Sequence, residues 1–443
     1  MMDSTHKNVV ILGGGLAGLT AAFRLHKEKL DFILLEKSNQ VGGTAKTIKK
    51  DGYTYDLTGH ALHLSDEKVK KLIFNDLNLS VEFEKVQRNS VIFVDGNIIP
   101  YPFQYNLAYL PEKSRDRCVL EYLKTHFYHK DCEDKEYCSF EDYCYNTLGK
   151  EISEIFMKPY NEKLWATRAS DMTTEWMGKF VPRPDSDKII EGAFIKKEID
   201  SSGYNAYFYY PKSGGIQIIS DALLEKVSDK IVLNANISEI DLDKKIIRCG
   251  NNMISYNHII TTIPSPELLH ITHLDDKVHL NLEWTIVRAF FVTIPTTKSP
   301  KYSWIYIPSK KSRIYRIGNF SQFSTNLSHG DNDLLYVETA AHNTAPNSLP
   351  QYPDIASELE EILNVDKESI GIIDIIDINP AYAIYNKTWR EDTETMKSIL
   401  EQYNVHNAGR YGNWMYGSME DAIRTGISVA EKVIKSYHSD KHE

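Results

Sequence analysis

The sequence predicts an α/β protein with a parallel βαβ unit at its start, a helical insert after it and an antiparallel sheet towards its end. Three observations predict this. At the N-terminus a short apolar run, a glycine cluster and a second apolar run follow one another. Between 103 and 198, aromatic and charged residues alternate at helical spacing. From 287 to 339, runs rich in β-branched and aromatic residues recur between turn signals.

The elements follow in order. Asn8–Leu12 reads as a buried strand, Leu16–Lys27 as a helix with apolar spacing and Phe32–Glu36 as a second strand. Together they have the size of one βαβ unit. In the insert, Arg115–Phe127, Phe140–Leu148 and Glu151–Met157 are helical. Ile231–Ile247 gives two short strands around the solvated turn Asp241–Lys245, and Ile259–Ile263 a strand ending at Pro264. Val287–Ile294, Ser303–Ile307, Ile314–Phe320 and Leu334–Thr339 form an antiparallel sheet, with one wet and one packed face expected. Ile355–Leu363 is a helix, Ile370–Ile376 a strand and Ser418–Tyr437 the closing helix. A chain of 443 residues exceeds one core. No repeat or flexible linker divides it, so the domains are expected to interweave: 1–100, 200–270 and 375–443 as one discontinuous domain, 101–199 as a mainly helical insert and 271–374 as the antiparallel sheet.

Composition narrows the function classes. A formal charge of -10 argues against nucleic-acid binding, which needs a basic surface. Five cysteines without a CxxC pair fit a reduced, cytoplasmic setting and suggest neither a disulfide framework nor a metal site. No signal peptide is read at the N-terminus. The apolar run Val9–Leu19 is broken by glycines, and no window approaches the roughly 18 apolar residues of a membrane span.

Gly13, Gly15 and Gly18 form a GxGxxG between strand and helix, with Leu16 and Ala17 inside it. Gly13 permits the tight turn, Gly15 admits a pyrophosphate to the backbone, and Gly18 lets the helix pack on the strand. Glu36, closing the second strand, can accept hydrogen bonds from a ribose. Strand, glycines, helix, strand and terminal acid in that order specify a Rossmann-type dinucleotide-binding unit.

The next string, Glu36-Lys37-Ser38-Asn39-Gln40-Val41-Gly42-Gly43-Thr44, resembles the second glycine pair of the FAD-dependent amine-oxidase-like group. Thr261-Thr262-Ile263-Pro264 resembles that group's later strand returning to the nucleotide, and Gly409-Arg410-Tyr411-Gly412 with the last helix its flavin-side closing motif. The resemblance implies FAD as cofactor, held by Lys37, Gly42, Gly43, Thr44, Arg410 and Met419 besides the first glycines. The discontinuous domain is thus expected to be the FAD-binding domain.

Other strings resemble UDP-galactopyranose mutase, particularly its eukaryotic-type branch. Tyr101-Pro102-Phe103-Gln104 is similar to that family's YPFQ, which implies Tyr101 and Gln104 beside a pyrimidine. Pro159-Tyr160-Asn161-Glu162-Lys163-Leu164-Trp165-Ala166 resembles its PYNxKxWA helix, implying Asn161 and Trp165 in the substrate pocket; Asn205 is a further matching polar position. Trp304-Ile305-Tyr306-Ile307-Pro308 and Tyr315-Arg316 resemble the pair that grips the substrate diphosphate. Tyr416 matches a diphosphate tyrosine, and Tyr382 or Tyr385 a second. Asp56-Leu57-Thr58-Gly59-His60 resembles the histidine loop beside the flavin, where Gly59 would allow close backbone approach; His63 is read as an ordinary loop residue. Phe180 stands where the family carries a second diphosphate arginine, with Lys179 or Arg183 near enough to compensate. Glu420 stands where an asparagine is expected and would repel phosphate unless it points away.

The resemblance implies a mutase interconverting pyranose and furanose forms of a nucleotide sugar, an isomerase without net redox change. Reduced FAD would attack the anomeric carbon through N5 and expel the diphosphate, with His60, Arg316, Tyr306 and Tyr416 as the catalytic set. An electron donor would reduce the flavin, an oligomer is possible, and polysaccharide biosynthesis is the setting by analogy. The alternative is an oxidase or dehydrogenase of the amine-oxidase or protoporphyrinogen-oxidase type, which would need a mostly apolar tunnel and no Tyr306–Arg316 pair.

Overall fold

Strand β1 (Ser4–Leu12) is the axis of a parallel sheet in the computed structural model, which describes residues 4–128, 137–178, 180–181, 183–196, 206–327 and 330–440. Val9, Val10, Ile11 and Leu12 are wholly buried, as a strand covered on both faces requires. On one side β1 pairs with Asn252–Thr261, on the other with β2 (Phe32–Leu35), all parallel. Ile231–Val232 extends the sheet beyond β2, and Val405–Asn407 pairs in parallel with the end of 252–261. The hairpin Ile237–Asp241 and Ile246–Cys249 pairs antiparallel with the start of that strand. Strand 252–261 thus begins before the expected Ile259, because its first half alternates polar and apolar residues against the hairpin and lacks the buried run that announces its second half.

Helix α1 (Leu16–Lys27) covers one face of this sheet with the closing helix Met419–Asp440. The other face packs on Leu268, Leu400 and Trp414.

The antiparallel sheet has the order 371–383, 284–295, 332–342, 316–319, 304–306, 90–94, 97–100. Strands 90–94 and 97–100 join it at one edge, and the other edge strand runs on to Ala383, so the sheet extends beyond the expected 271–374 at both ends. The expectation of one wet face is corrected for its centre. Strands 284–295 and 332–342 are buried on both sides: helix Tyr352–Leu363 packs on one face, and a large aromatic cluster shared with the insert packs on the other. Alternation survives at the edge strand 371–383.

The insert is helical at Glu112–Tyr128, Phe140–Leu148, Ser186–Phe194 and 150–165. The last contains a π-helical turn, Ser153–Met157, a device common at functional sites. It ends where Ala166 turns left-handed, with φ 46°.

Candidate active site

A cavity of about 1060 Å³ lies between the parallel sheet, the insert and the antiparallel sheet. It exceeds the roughly 300–1,000 Å³ of a pocket for one small ligand, leaving room for a dinucleotide and a second molecule.

The nucleotide side is built from backbone. Gly13 takes φ +97° at the end of β1, where a side chain would also meet the Thr262 hydroxyl. A Cβ at Gly18 would stand 2.0 Å from the Gly13 carbonyl oxygen, so only glycine lets α1 pack this closely. Gly15 differs, since its Cβ would meet nothing nearer than the Gly43 Cα at 3.9 Å. The bare floor between Gly15 and Gly43 therefore faces the cavity, beside Leu16, Ala17, Gly42 and Thr44. No side chain caps the N-terminus of α1, which leaves its first N–H groups and the positive end of its dipole for a phosphate. Glu36 accepts hydrogen bonds from Gly14 N (2.6 Å) and Ser38 N (2.8 Å), which fixes its carboxylate at the rim. Lys37 also lines the rim and reaches Glu267 at 2.9 Å. Glycine cradle, uncapped helix and anchored acid fit a dinucleotide diphosphate and ribose.

Gly59, His60, Arg410 and Met419 line the cavity next to this cradle. The constraint on Gly59 comes from within the protein: a Cβ there would stand 1.8 Å from the Tyr336 hydroxyl oxygen and 3.0 Å from Trp304 Nε1. His60 Nδ1 donates to the Thr58 carbonyl at 3.1 Å, leaving Nε2 as the acceptor. Burial, and then the nearby Arg410 and Arg316, hold its pKa down to about 4, so the imidazole is neutral at pH 7. Arg410 Nη2 donates to the Ala381 carbonyl at 2.6 Å, and the guanidinium lies 4.4 Å from the centre of the Tyr382 ring. Its Nε is buried without a hydrogen-bond partner.

The opposite wall is built from side chains. Tyr306 and Arg316 are directly opposite residues on antiparallel strands, and both line the cavity with Tyr101, Gln104, Asn161, Trp304, Tyr382 and Tyr416. Arg316 is gripped through Nε and Nη2 by Glu338, itself fully buried. This bidentate pair fixes the guanidinium plane and offsets its charge. Burial pushes the phenols of Tyr101 and Tyr416 up, keeping them neutral donors.

The structure also separates the remaining expectations. Tyr382 lines the cavity, whereas Tyr385 lies behind it and accepts the Tyr416 N–H at 2.8 Å. Trp165 is a correction: it is fully buried and lies outside the cavity lining, supporting Tyr382 and Tyr416 edge-on from behind. Gly18, too, lies behind the lining and acts through packing. Asn205 and Lys179 fall outside the described residues. His63 lines the cavity, with Nδ1 at 3.0 Å from the Tyr207 carbonyl. Phe180 packs edge-on against Tyr416 at 4.5 Å, and Arg183 reaches the cavity nearby. Glu420 turns away from the cavity to accept from Ser65 N, Ser65 Oγ and Asp66 N, which removes the expected repulsion.

Sequence reading missed Arg88 and Tyr160. The Arg88 guanidinium lines the cavity, donates to Tyr306 Oη and Ser90 Oγ, and lies against the rings of Tyr101 and Trp304. No carboxylate pairs with it among the described residues, so an anion in the cavity would be its counter-charge. Nothing around Arg88 in sequence signals this, since apart from Ser90 its partners come from segments further along the chain. Tyr160 could have been found: it stands one residue before Asn161 in the string that suggested the helix.

Residues 11–77 match the profile of the NAD(P)-binding Rossmann-like domain. Among curated proteins, the coproporphyrinogen III oxidase of Bacillus subtilis is 35% identical over 108 residues, 23% of each chain. The L-amino acid oxidase of Bothrops pictus is 25% identical over 267 residues, 55% of this chain and 48% of its own. The chain thus spans about half or less of these two relatives. A solved structure of reduced UDP-galactopyranose mutase is 26% identical, with a TM-score of 0.85 over 97% of this chain and 96% of that one. The cradle and these likenesses identify FAD as the cofactor.

Proposed function

We propose that this chain, a UDP-galactopyranose mutase-like FAD flavoenzyme, interconverts pyranose and furanose forms of a nucleoside-diphosphate sugar. One observation carries the reading: Tyr306 and Arg316, opposite one another on adjacent strands, line the same cavity as the glycine cradle and Arg410. When bound and reduced, FAD supplies the electron pair that attacks the anomeric carbon.

The remaining work falls to the chain. Arg316, fixed by Glu338, and the hydroxyls of Tyr306, Tyr382 and Tyr416 would hold the diphosphate as its bond to the sugar breaks and charge grows on the leaving oxygen. They keep it beside the sugar for the return step, so departure and recombination stay within one site. Arg88 would supply the net positive charge that Phe180 withholds and that Arg316 shares with Glu338. Tyr101 and Gln104 would flank the base, and Asn161 the ribose side. His60, neutral, cannot be a general acid near pH 7; its part is to orient the flavin edge by accepting a hydrogen bond at Nε2.

On this reading the enzyme is an isomerase that needs an external electron donor to reduce its flavin. Surface-polysaccharide precursors made in the cytoplasm would suit such an activity. No helix among the described residues is long and apolar enough to cross a membrane.

The test incubates the reduced protein with a panel of nucleotide sugars. A ring-contracted product formed without stoichiometric consumption of an electron donor supports the mutase. Substrate-driven flavin reduction with oxygen uptake instead supports an oxidase, the reading favoured by the names of the curated relatives.

A further inference from the structure

The loop joining the two strands that carry Tyr306 and Arg316 is held from both sides by charged side chains. Lys163 projects from the helix Lys158–Trp165, which also brings Tyr160 and Asn161 to the cavity. Its Nζ donates to the carbonyls of Ile307 (2.8 Å), Ser309 (3.0 Å) and Ile314. From the helix Tyr352–Leu363, the Glu358 carboxylate accepts from Ser312 Oγ (2.7 Å), Arg313 N (2.9 Å) and Ile314 N (3.3 Å). A lysine thus gathers the loop's acceptors and a glutamate its donors. Between them they leave the hairpin little freedom to slide on the insert.

We propose that Lys163 is a positioning residue, which ties the 307–314 loop to the insert and so sets where Tyr306 and Arg316 stand across the cavity from Asn161. The inference rests on the reading of that pair as a diphosphate grip. An ammonium has three N–H donors for three carbonyls; a neutral amine has two and leaves one carbonyl unpaired. Burial holds the Lys163 pKa down to about 7, with Glu358 opposing that shift. The clamp is therefore complete below pH 7 and loosens as the pH rises above it. The other charged groups of the elements packed around it are Lys310, Lys311 and Arg313 on the loop, Asp354, which with Glu358 pairs Arg313, and Glu162 on its own helix, which pairs with Lys310 at 3.7 Å.

The experiment uses the FAD-loaded chain and UDP-glucose, of which neither the diphosphate nor the uracil titrates between pH 6 and 8. The wild type should bind it about fivefold more tightly at pH 6 than at pH 8, most of the effect of one buried hydrogen bond. Lys163→Met should bind about tenfold more weakly at pH 6, with no slope, while its flavin absorbance stays unchanged. Lys163→Arg should recover part of the affinity and lose the slope. Amide exchange across 307–316, corrected for intrinsic rates, should accelerate in the wild type above pH 7 and be fast in Lys163→Met throughout. Equal affinity and equal loop protection in wild type and Lys163→Met would overturn the positioning role alone. A wild type that binds neither UDP-glucose nor UDP overturns the diphosphate reading, and the role of Lys163 falls with it.

Discussion

The two sides of the cavity are built in different ways. The nucleotide side consists of backbone N–H groups, bare Cα atoms and one anchored acid, all within a single βαβ unit and the glycine loop that follows it. The wall opposite consists of long side chains, several of them held by a side chain from another strand or loop: Arg316 by Glu338, Tyr306 by Arg88, and the Tyr416 backbone by Tyr385. A backbone cradle depends on what is absent from its residues. A side-chain wall depends on pairs, so removing one member strands the other.

The largest effect should come from filling the cradle. Gly18→Val puts carbon against the Gly13 carbonyl and should abolish FAD retention, read as loss of visible flavin absorbance after purification. Arg316→Met comes next. It should weaken nucleotide-sugar binding on the order of 100-fold. It also leaves Glu338 buried and unpaired, lowering stability by about 3–5 kcal/mol. Adding Glu338→Gln should restore most of the stability and none of the binding; if both returned together, the wall would not work by pairs.

Arg88→Gln should weaken binding of the same ligand by roughly tenfold, the value of a charge-assisted hydrogen bond, and leave flavin content unchanged. Equal loss of flavin and ligand would erase the distinction between the two sides.

The smallest effect concerns the strand beneath the cradle. His406 in 405–407 is buried with Nε2 at 3.3 Å from His258 Nδ1. Burial, then the neighbouring His258, lowers its pKa to about 4 from the ordinary 6.5. Above pH 6.5 neither folded nor unfolded chain protonates it, and stability is full. Below that the unfolded chain takes the proton first, so stability falls as pH drops from 6.5 towards 4. His60 contributes in the same direction. Melting temperature followed over this range should decline, and His406→Gln should flatten the decline.

What could be read from the sequence follows the same division. The cradle was legible because its requirements are local: turn, close approach and terminal acid arrive in order within one βαβ unit. Helix α1 and Phe140–Leu148 match their predicted bounds because apolar spacing alone defines them. Arg88 was invisible because its role comes from strands that meet it only in three dimensions. Trp165 was placed in the pocket by its motif, yet helix geometry turns it into the aromatic core. The wet face of the antiparallel sheet failed for a related reason: the periodicity of its strands does not report that a helix covers one side and the insert the other.

The hairpin 90–100 gives that sheet two strands from the N-terminal quarter of the chain, while β1 takes its partner 252–261 from past the midpoint. A fragment ending near residue 100 would therefore keep every glycine of the nucleotide motif and still expose a raw edge of β1. An isolated 271–374 piece would lack both terminal strands of one edge. Neither piece is a self-contained cassette, because each sheet is completed by strands from outside it.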